Sequence, residues 1–224
     1  MRVLLSSLLM LSSGDVTAAL GQDLVDVRVL DASIGADMRY ARADNFVGEA
    51  VDGYVAAKCL LSRPAAEALA RVQSNLTEDG FGLLVFDCYR PQRAVDHFVR
   101  WAADTADVRT KAEYYPYVQK SRLFDEGYIA SRSGHSRAST VDLTLGLRSA
   151  DGSIEPLDMG TPFDFFDPRS NTEAPNLAPD QLASRLRLRD AMEAGGFRNY
   201  VAEWWHYTLR DEPYPDEYFD LPIR

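Results

Sequence analysis

Ser133-Gly134-His135-Ser136-Arg137-Ala138-Ser139-Thr140-Val141-Asp142-Leu143-Thr144-Leu145 is the stretch from which the fold is read. A Ser/Gly-rich turn carries a histidine and runs into a segment where Val141, Leu143 and Leu145 alternate with Asp142 and Thr144. That period of two predicts a half-buried strand with a polar face. Further along, Trp205, Tyr207 and Leu209 alternate with His206 and Thr208 and predict another strand, and Gly82–Phe86 reads as a short buried one. Ser62-Arg63-Pro64 reads as a helix start, with Ser as N-cap and Pro in the first turn. Leu69, Val72 and Leu76 then recur at helical spacing, and Gly80 is the expected stop. Val95, Phe98, Val99 and Ala102 mark a second amphipathic helix beyond Arg90-Pro91. Leu182, Leu186, Leu188 and Met192 mark a third, ended by Gly195-Gly196. Helices and strands mix without a regular βαβ rhythm. The expected fold is therefore α+β: a single domain over residues 20–224, with helices packed on a mainly antiparallel sheet.

Composition bounds the function. The 224 residues are 46% hydrophobic and 26% charged, which is ordinary for a globular chain. Lys and Arg number 24 against 34 acidic residues, a net charge of −10, so a nucleic-acid backbone is excluded as the main partner. No run of about 18 apolar residues predicts a membrane span, and no obligate protein partner is evident. Met1-Arg2, the apolar stretch Val3–Leu11 and the small residues Thr17-Ala18-Ala19 predict a signal peptide over residues 1–19. Export to the periplasm is then expected; without a signal the chain would be cytoplasmic. The two cysteines, Cys59 and Cys88, are too few for a four-thiolate zinc site. In an exported chain they are expected to form a disulfide closing a loop of about 30 residues, contributing about 3 kcal/mol. In a cytosolic chain they would be two unrelated buried thiols.

Two of the three histidines lie in chemically dense segments. His135 sits in the turn and Asp142 on the polar face of the strand after it. His206 lies in Glu203-Trp204-Trp205-His206-Tyr207. Together His135, Asp142 and His206 make a two-His, one-carboxylate set, the pattern of a catalytic zinc with an open position or of a non-haem iron. Glu203, a carboxylate three residues from a ligand, favours hydrolysis, because a hydrolytic site needs a general base. Residues three apart on a regular strand face opposite ways, so a bend at the strand entry is required for Glu203 to join His206. Arg90, directly after a strand, can stabilise an oxyanion or simply pair with Asp87. His97 has no such context and is expected to be structural or solvated.

The segments Ser-Gly-His-Ser-Arg-x3-Val-Asp-Leu-Thr-Leu, Glu-Trp-Trp-His-Tyr and Asp-x-Tyr-Arg-Pro resemble the zinc D-alanyl-D-alanine dipeptidases of the VanX type. Asp37-Met38-Arg39-Tyr40, Asp44-Asn45-Phe46-x-Gly48 and Met159-Gly160-Thr161-x-Phe163-Asp164 are similar to the same family. The resemblance implies a hedgehog/D,D-peptidase-like scaffold and one zinc per chain, held by His135, Asp142 and His206. It implies Glu203 as catalytic base, Arg90 on the oxyanion and a small dipeptide as substrate. It also implies that Tyr40 and Asp164 hold the substrate ammonium, and Tyr54 and Ser133 its carboxylate. Cys88 stands where many members have Gly, and the leader is absent from the cytoplasmic resistance enzymes; both departures point to an exported branch. Two other readings share the metal set. A D,D-carboxypeptidase or endopeptidase acting on peptidoglycan stems would leave the substrate's N-terminal side open. A non-enzymatic zinc-binding module would need neither Glu203 nor Arg90.

Overall fold

The computed structural model describes Gly21 and residues 23–224; the expected signal peptide, residues 1–19, lies outside the described residues. In chain order the elements are β1 (Leu24–Asp26), α1 (Val27–Leu30), β2 (Gly35–Ala36), β3 (Leu60–Ser62), α2 (Arg63–Glu78), β4 (Phe81–Asp87), α3 (Gln92–Ala103) and α4 (Lys111–Tyr114). Then follow β5 (Thr140–Arg148), β6 (Ile154–Pro156), α5 (Pro179–Ala194), β7 (Phe197–Asn199) and β8 (His206–Leu209). Six strands form one sheet in the order β2-β4-β5-β8-β7, with β6 also pairing β5. Among the described strand pairs of this sheet only β2–β4 is parallel. β1 and β3 make a separate antiparallel pair, and α2 and α5 pack on the large sheet and on each other. The expected α+β domain with a mainly antiparallel sheet is the one observed.

Local chemistry explains the helices, with two differences. In α2, Pro64 occupies the first turn, Leu69, Val72 and Leu76 are buried, and Gly80 ends the run at φ +80°, a conformation that suits glycine. Ser62 holds the N-cap position but does not cap. Its hydroxyl pairs with that of Ser139 at 2.9 Å, and its N–H donates to the Ala138 carbonyl, so tertiary partners outcompete the local one. In α5 the buried stripe is Arg185, Leu188 and Met192, while Leu182 and Leu186 are only half-buried.

Strand β5 also differs from expectation. Its polar face is covered rather than open: Thr140, Asp142 and Thr144 are all buried. The loop carrying Met159–Phe163 closes over this face beside Thr144, and Phe163 stacks on Phe86 at 4.7 Å. Pairing then sets the site. Asp142 lies opposite His206 on β8 and opposite Asp87 on β4. A bulge between Val85 and Asp87 breaks the alternation of β4, which turns Asp87 onto the face that carries Asp142.

Candidate active site

His135 lies in a 3-10 turn, Gly134–Arg137, whose N-cap Ser133 accepts the His135 N–H with its hydroxyl. The imidazole Nδ1 faces the Cys88 carbonyl at 2.7 Å, so Nδ1 is the donor and Nε2 presents a lone pair. Nε2 lies 3.2 Å from Asp142 Oδ1 and 3.3 Å from His206 Nδ1. His206 Nδ1 lies 3.0 Å from the same carboxylate oxygen. Asp142 Oδ1 is buried and, although near both rings, is hydrogen-bonded to neither.

These residues fit a metal. Ligand atoms at about 2.0–2.1 Å around a tetrahedral zinc are separated by about 3.3 Å, and the three atoms stand 3.0–3.3 Å apart. A bound cation would satisfy the buried carboxylate oxygen left without a hydrogen bond in that triangle.

Glu203 reaches the same cavity because β8 starts only at His206. The loop from β7 is closed by Glu203 N–H donating to Tyr200 O at 2.9 Å and His206 N–H donating to Glu203 O at 3.2 Å. The Asn199 amide clamps it by donating to the carbonyls of both Glu203 and His206. That turn is the required bend, and it leaves Glu203 Oε2 3.4 Å from His206 Nδ1.

Arg90 pairs with Asp87 and also lines the cavity. Its guanidinium pairs with Asp87 at 2.8 Å and also approaches Asp142 Oδ2 at 3.4 Å. It lies over the rings of Tyr40 and Phe98 at 5.0 and 5.1 Å. A salt bridge to Asp87 therefore anchors the guanidinium in the cavity wall instead of tying it to the surface.

The cavity is about 290 Å³ and is lined by His135, Asp142, His206, Glu203 and Arg90, with Tyr40, Asp164 and Ser133 also on its wall. Tyr40 donates its hydroxyl to Asp164 at 2.8 Å. Asp164 adopts φ +60°, a rare conformation for a non-glycine residue that turns it inward from its loop. Tyr54 is buried outside the cavity lining, and its hydroxyl donates to Asp87 Oδ1 at 2.6 Å. His97 lies apart, on α3, with Nδ1 accepting from the Asp52 N–H and Nε2 beside Glu49.

Electrostatics separate the carboxyls. Burial, strengthened by the charge of Asp142, pushes Asp164 well above the ordinary carboxylate range. Burial and Asp142 also raise Glu203, against the pull of His206 and Arg90. Burial raises Asp87 despite Arg90 and His135. Against the effect of burial, the positive charge that His135 and His206 carry when protonated holds Asp142 below the ordinary range.

The model of the Peptidase M15 family, described as D-Ala-D-Ala dipeptidase, matches residues 21–224. The chain belongs to the D-Ala-D-Ala dipeptidase family. It is 47% identical over 201 residues to a D-alanyl-D-alanine dipeptidase of Streptomyces coelicolor, covering 90% of this chain and 98% of that protein. A D-alanyl-D-alanine dipeptidase of Enterococcus faecium is 45% identical over 188 residues, 84% of this chain and 92% of that protein. One of Escherichia coli is 35% identical over 190 residues, 84% of each.

In this dipeptidase-family chain several residues around the site carry little sequence signal. Asp87 was visible only as a partner for Arg90, yet it holds Tyr54 and Arg90 and lies 3.4 Å from His135 Nδ1. Its one sequence signal is an acidic residue ending an apolar strand. Tyr128, Arg132 and Tyr200 line the cavity from loops without periodicity. Cys59 and Cys88 are joined in a disulfide, with Cα atoms 5.1 Å apart. Among the described residues no helix is long and apolar enough to cross a membrane.

Proposed function

We propose that this chain hydrolyses D-alanyl-D-alanine to free D-alanine, with one zinc held by His135, Asp142 and His206. The observation that carries the reading is the triangle of ligand atoms 3.0–3.3 Å apart, with Glu203 Oε2 3.4 Å from one of them. When bound, the zinc supplies Lewis acidity to the attacking water and the scissile carbonyl. The Glu203 carboxylate takes the proton of that water and passes it to the leaving nitrogen, a task suited to a raised carboxyl pKa. The Arg90 guanidinium, held by Asp87, donates N–H groups to the developing oxyanion.

Substrate ends are recognised by opposite chemistry. The Tyr40–Asp164 pair suits the free ammonium, whose charge offsets the cost of ionising Asp164 in a buried site. Ser133 suits the carboxylate end, without Tyr54, whose hydroxyl is committed to Asp87. A cavity of about 290 Å³ favours a dipeptide over a long chain. The disulfide supports residues 1–19 as a signal peptide and 20–224 as the catalytic domain of an exported, periplasmic enzyme, because such bonds persist in oxidising compartments.

The test compares free D-Ala-D-Ala with its N-acetyl form, using zinc-loaded protein. Hydrolysis of the free dipeptide alone is expected, since acetylation removes the charge that Asp164 awaits. Cleavage of the acetylated form moves the protein to the carboxypeptidase reading. Zinc uptake with no cleavage of either substrate moves it to the binding-module reading.

A further inference from the structure

The disulfide lies against the metal centre. Cys88 follows Asp87, the last β4 residue paired with β5, so no strand ladder holds its carbonyl. That carbonyl nevertheless faces His135 Nδ1 at 2.7 Å, nearer than the Asp87 carboxylate at 3.4 Å. Two links fix it from the side of β3. One is covalent, Cys88 to Cys59; the other is the Tyr89 N–H donating to the Leu60 carbonyl at 2.8 Å. Cys59 is itself anchored, its carbonyl accepting from Val27 N–H at 3.0 Å and the next residues pairing with β1. Both cysteines are buried.

The consequence concerns which nitrogen of His135 carries the proton. With Nδ1–H held by the Cys88 carbonyl, Nε2 keeps its lone pair toward Asp142 and His206. If the carbonyl drifts, the ring can turn and the Nε2–H tautomer, which cannot ligate through that nitrogen, becomes accessible. Partners that orient a ligating imidazole in this way change metal affinity by about 10–100-fold when lost.

We propose that the Cys59–Cys88 disulfide is a positioning element of the metal centre, fixing the Cys88 carbonyl that sets the orientation and tautomer of His135. This rests on the metal reading given above. Its role is indirect: neither cysteine is among the candidate ligands or in the cavity lining.

The experiment compares the full chain with the double variant Cys59→Ala/Cys88→Ala in two measurements at fixed pH. Zinc affinity is read by competition with a chromophoric chelator. The ring tautomers are read in the metal-free protein from imidazole 15N shifts, which are simple to assign with three histidines. The expected result is zinc affinity lower by about 10–100-fold, together with loss of the Nδ1–H signature of His135 while His97 is unchanged. Unchanged affinity with the His135 signature kept overturns the proposal. So does an affinity loss that vanishes once scaled by the folded fraction from circular dichroism. Should the double variant not fold, the same two measurements on wild-type protein reduced with a phosphine decide in the same way. Oxidised wild type that takes up no zinc overturns the metal reading itself, and this inference with it.

Discussion

Replacing Tyr54 by Phe separates two roles for that residue. The hydroxyl donates to Asp87 Oδ1 at 2.6 Å, while Oδ2 of the same carboxylate takes the Arg90 guanidinium at 2.8–2.9 Å. Asp87 is fully buried, so an oxygen that loses its donor finds no water to replace it. A hydrogen bond to a charged group contributes about 1.5–3 kcal/mol. For a chain of this size, about 2–4 °C of melting temperature is lost per kcal/mol, so Tyr54→Phe should melt about 3–12 °C lower. The Phe ring keeps the edge contact with Tyr40, at 5.7 Å between centroids, so packing is not the cause. The kinetic effect should fall on kcat, by about tenfold, because a loosened Asp87 no longer fixes Arg90. KM for the free dipeptide should stay within about twofold, since the hydroxyl is committed to Asp87. Thermal melts and steady-state kinetics on the zinc-loaded protein check both parts. An unchanged melt with a tenfold rise in KM and intact kcat would refute the reasoning and return Tyr54 to the substrate carboxylate.

Three further perturbations act on other groups. Glu203→Gln should retain one zinc per chain while turnover falls by about 10²–10⁴-fold, whereas His206→Ala should lose the metal; elemental analysis beside kinetics checks both, and zinc lost from the Glu203 variant would make that residue a ligand. Asp164, raised in the folded state, takes up a proton on folding, so it costs the metal-free protein stability as pH rises from the ordinary aspartate value near 3.9 towards its own. Asp164→Asn removes that cost, so its urea midpoint should exceed that of wild type by a gap that widens between pH 4 and the raised value; a constant gap contradicts the assignment. Arg185 is buried without a salt bridge among the described residues and donates to the carbonyls of Met159, Arg169 and Asn171, and burial, only partly offset by Asp158, lowers its pKa to about 10. Arg185→Met leaves those carbonyls unsatisfied and should cost about 3 kcal/mol or more in urea unfolding, with a raised KM because the braced loop carries Asp164.

Much of the architecture was legible because it rests on local periodicity. The alternation around Asp142 and His206 and the helical spacing in α2 and α3 each correspond to an observed element, since burying one face is what those patterns encode. What escaped notice depends on distant partners. Ser62 has the residue type and place of a cap, yet Ser139, 77 positions away, takes its hydroxyl. Arg185 lies on the stripe of α5 that local pattern assigns to apolar residues, and only a loop offering three carbonyls makes its burial tolerable. Tyr54 has a phenol suited to a carboxylate, and in the fold its hydroxyl meets that of Asp87, 33 positions away.

By itself the sequence determined the inventory of the site: two imidazoles, carboxylates and a guanidinium, set beside strands and turns whose formation needs only neighbouring residues. The tertiary structure decided which of these groups meet. A one-residue bulge in β4 brings Asp87 to the face of Asp142, a turn before β8 brings Glu203 to His206, and the approach of β3 to the end of β4 joins Cys59 to Cys88. Each is a relation between segments far apart in the chain, fixed by sheet register and packing. Local propensity carries no information about register between strands, so these meetings could be seen only once the strands were paired.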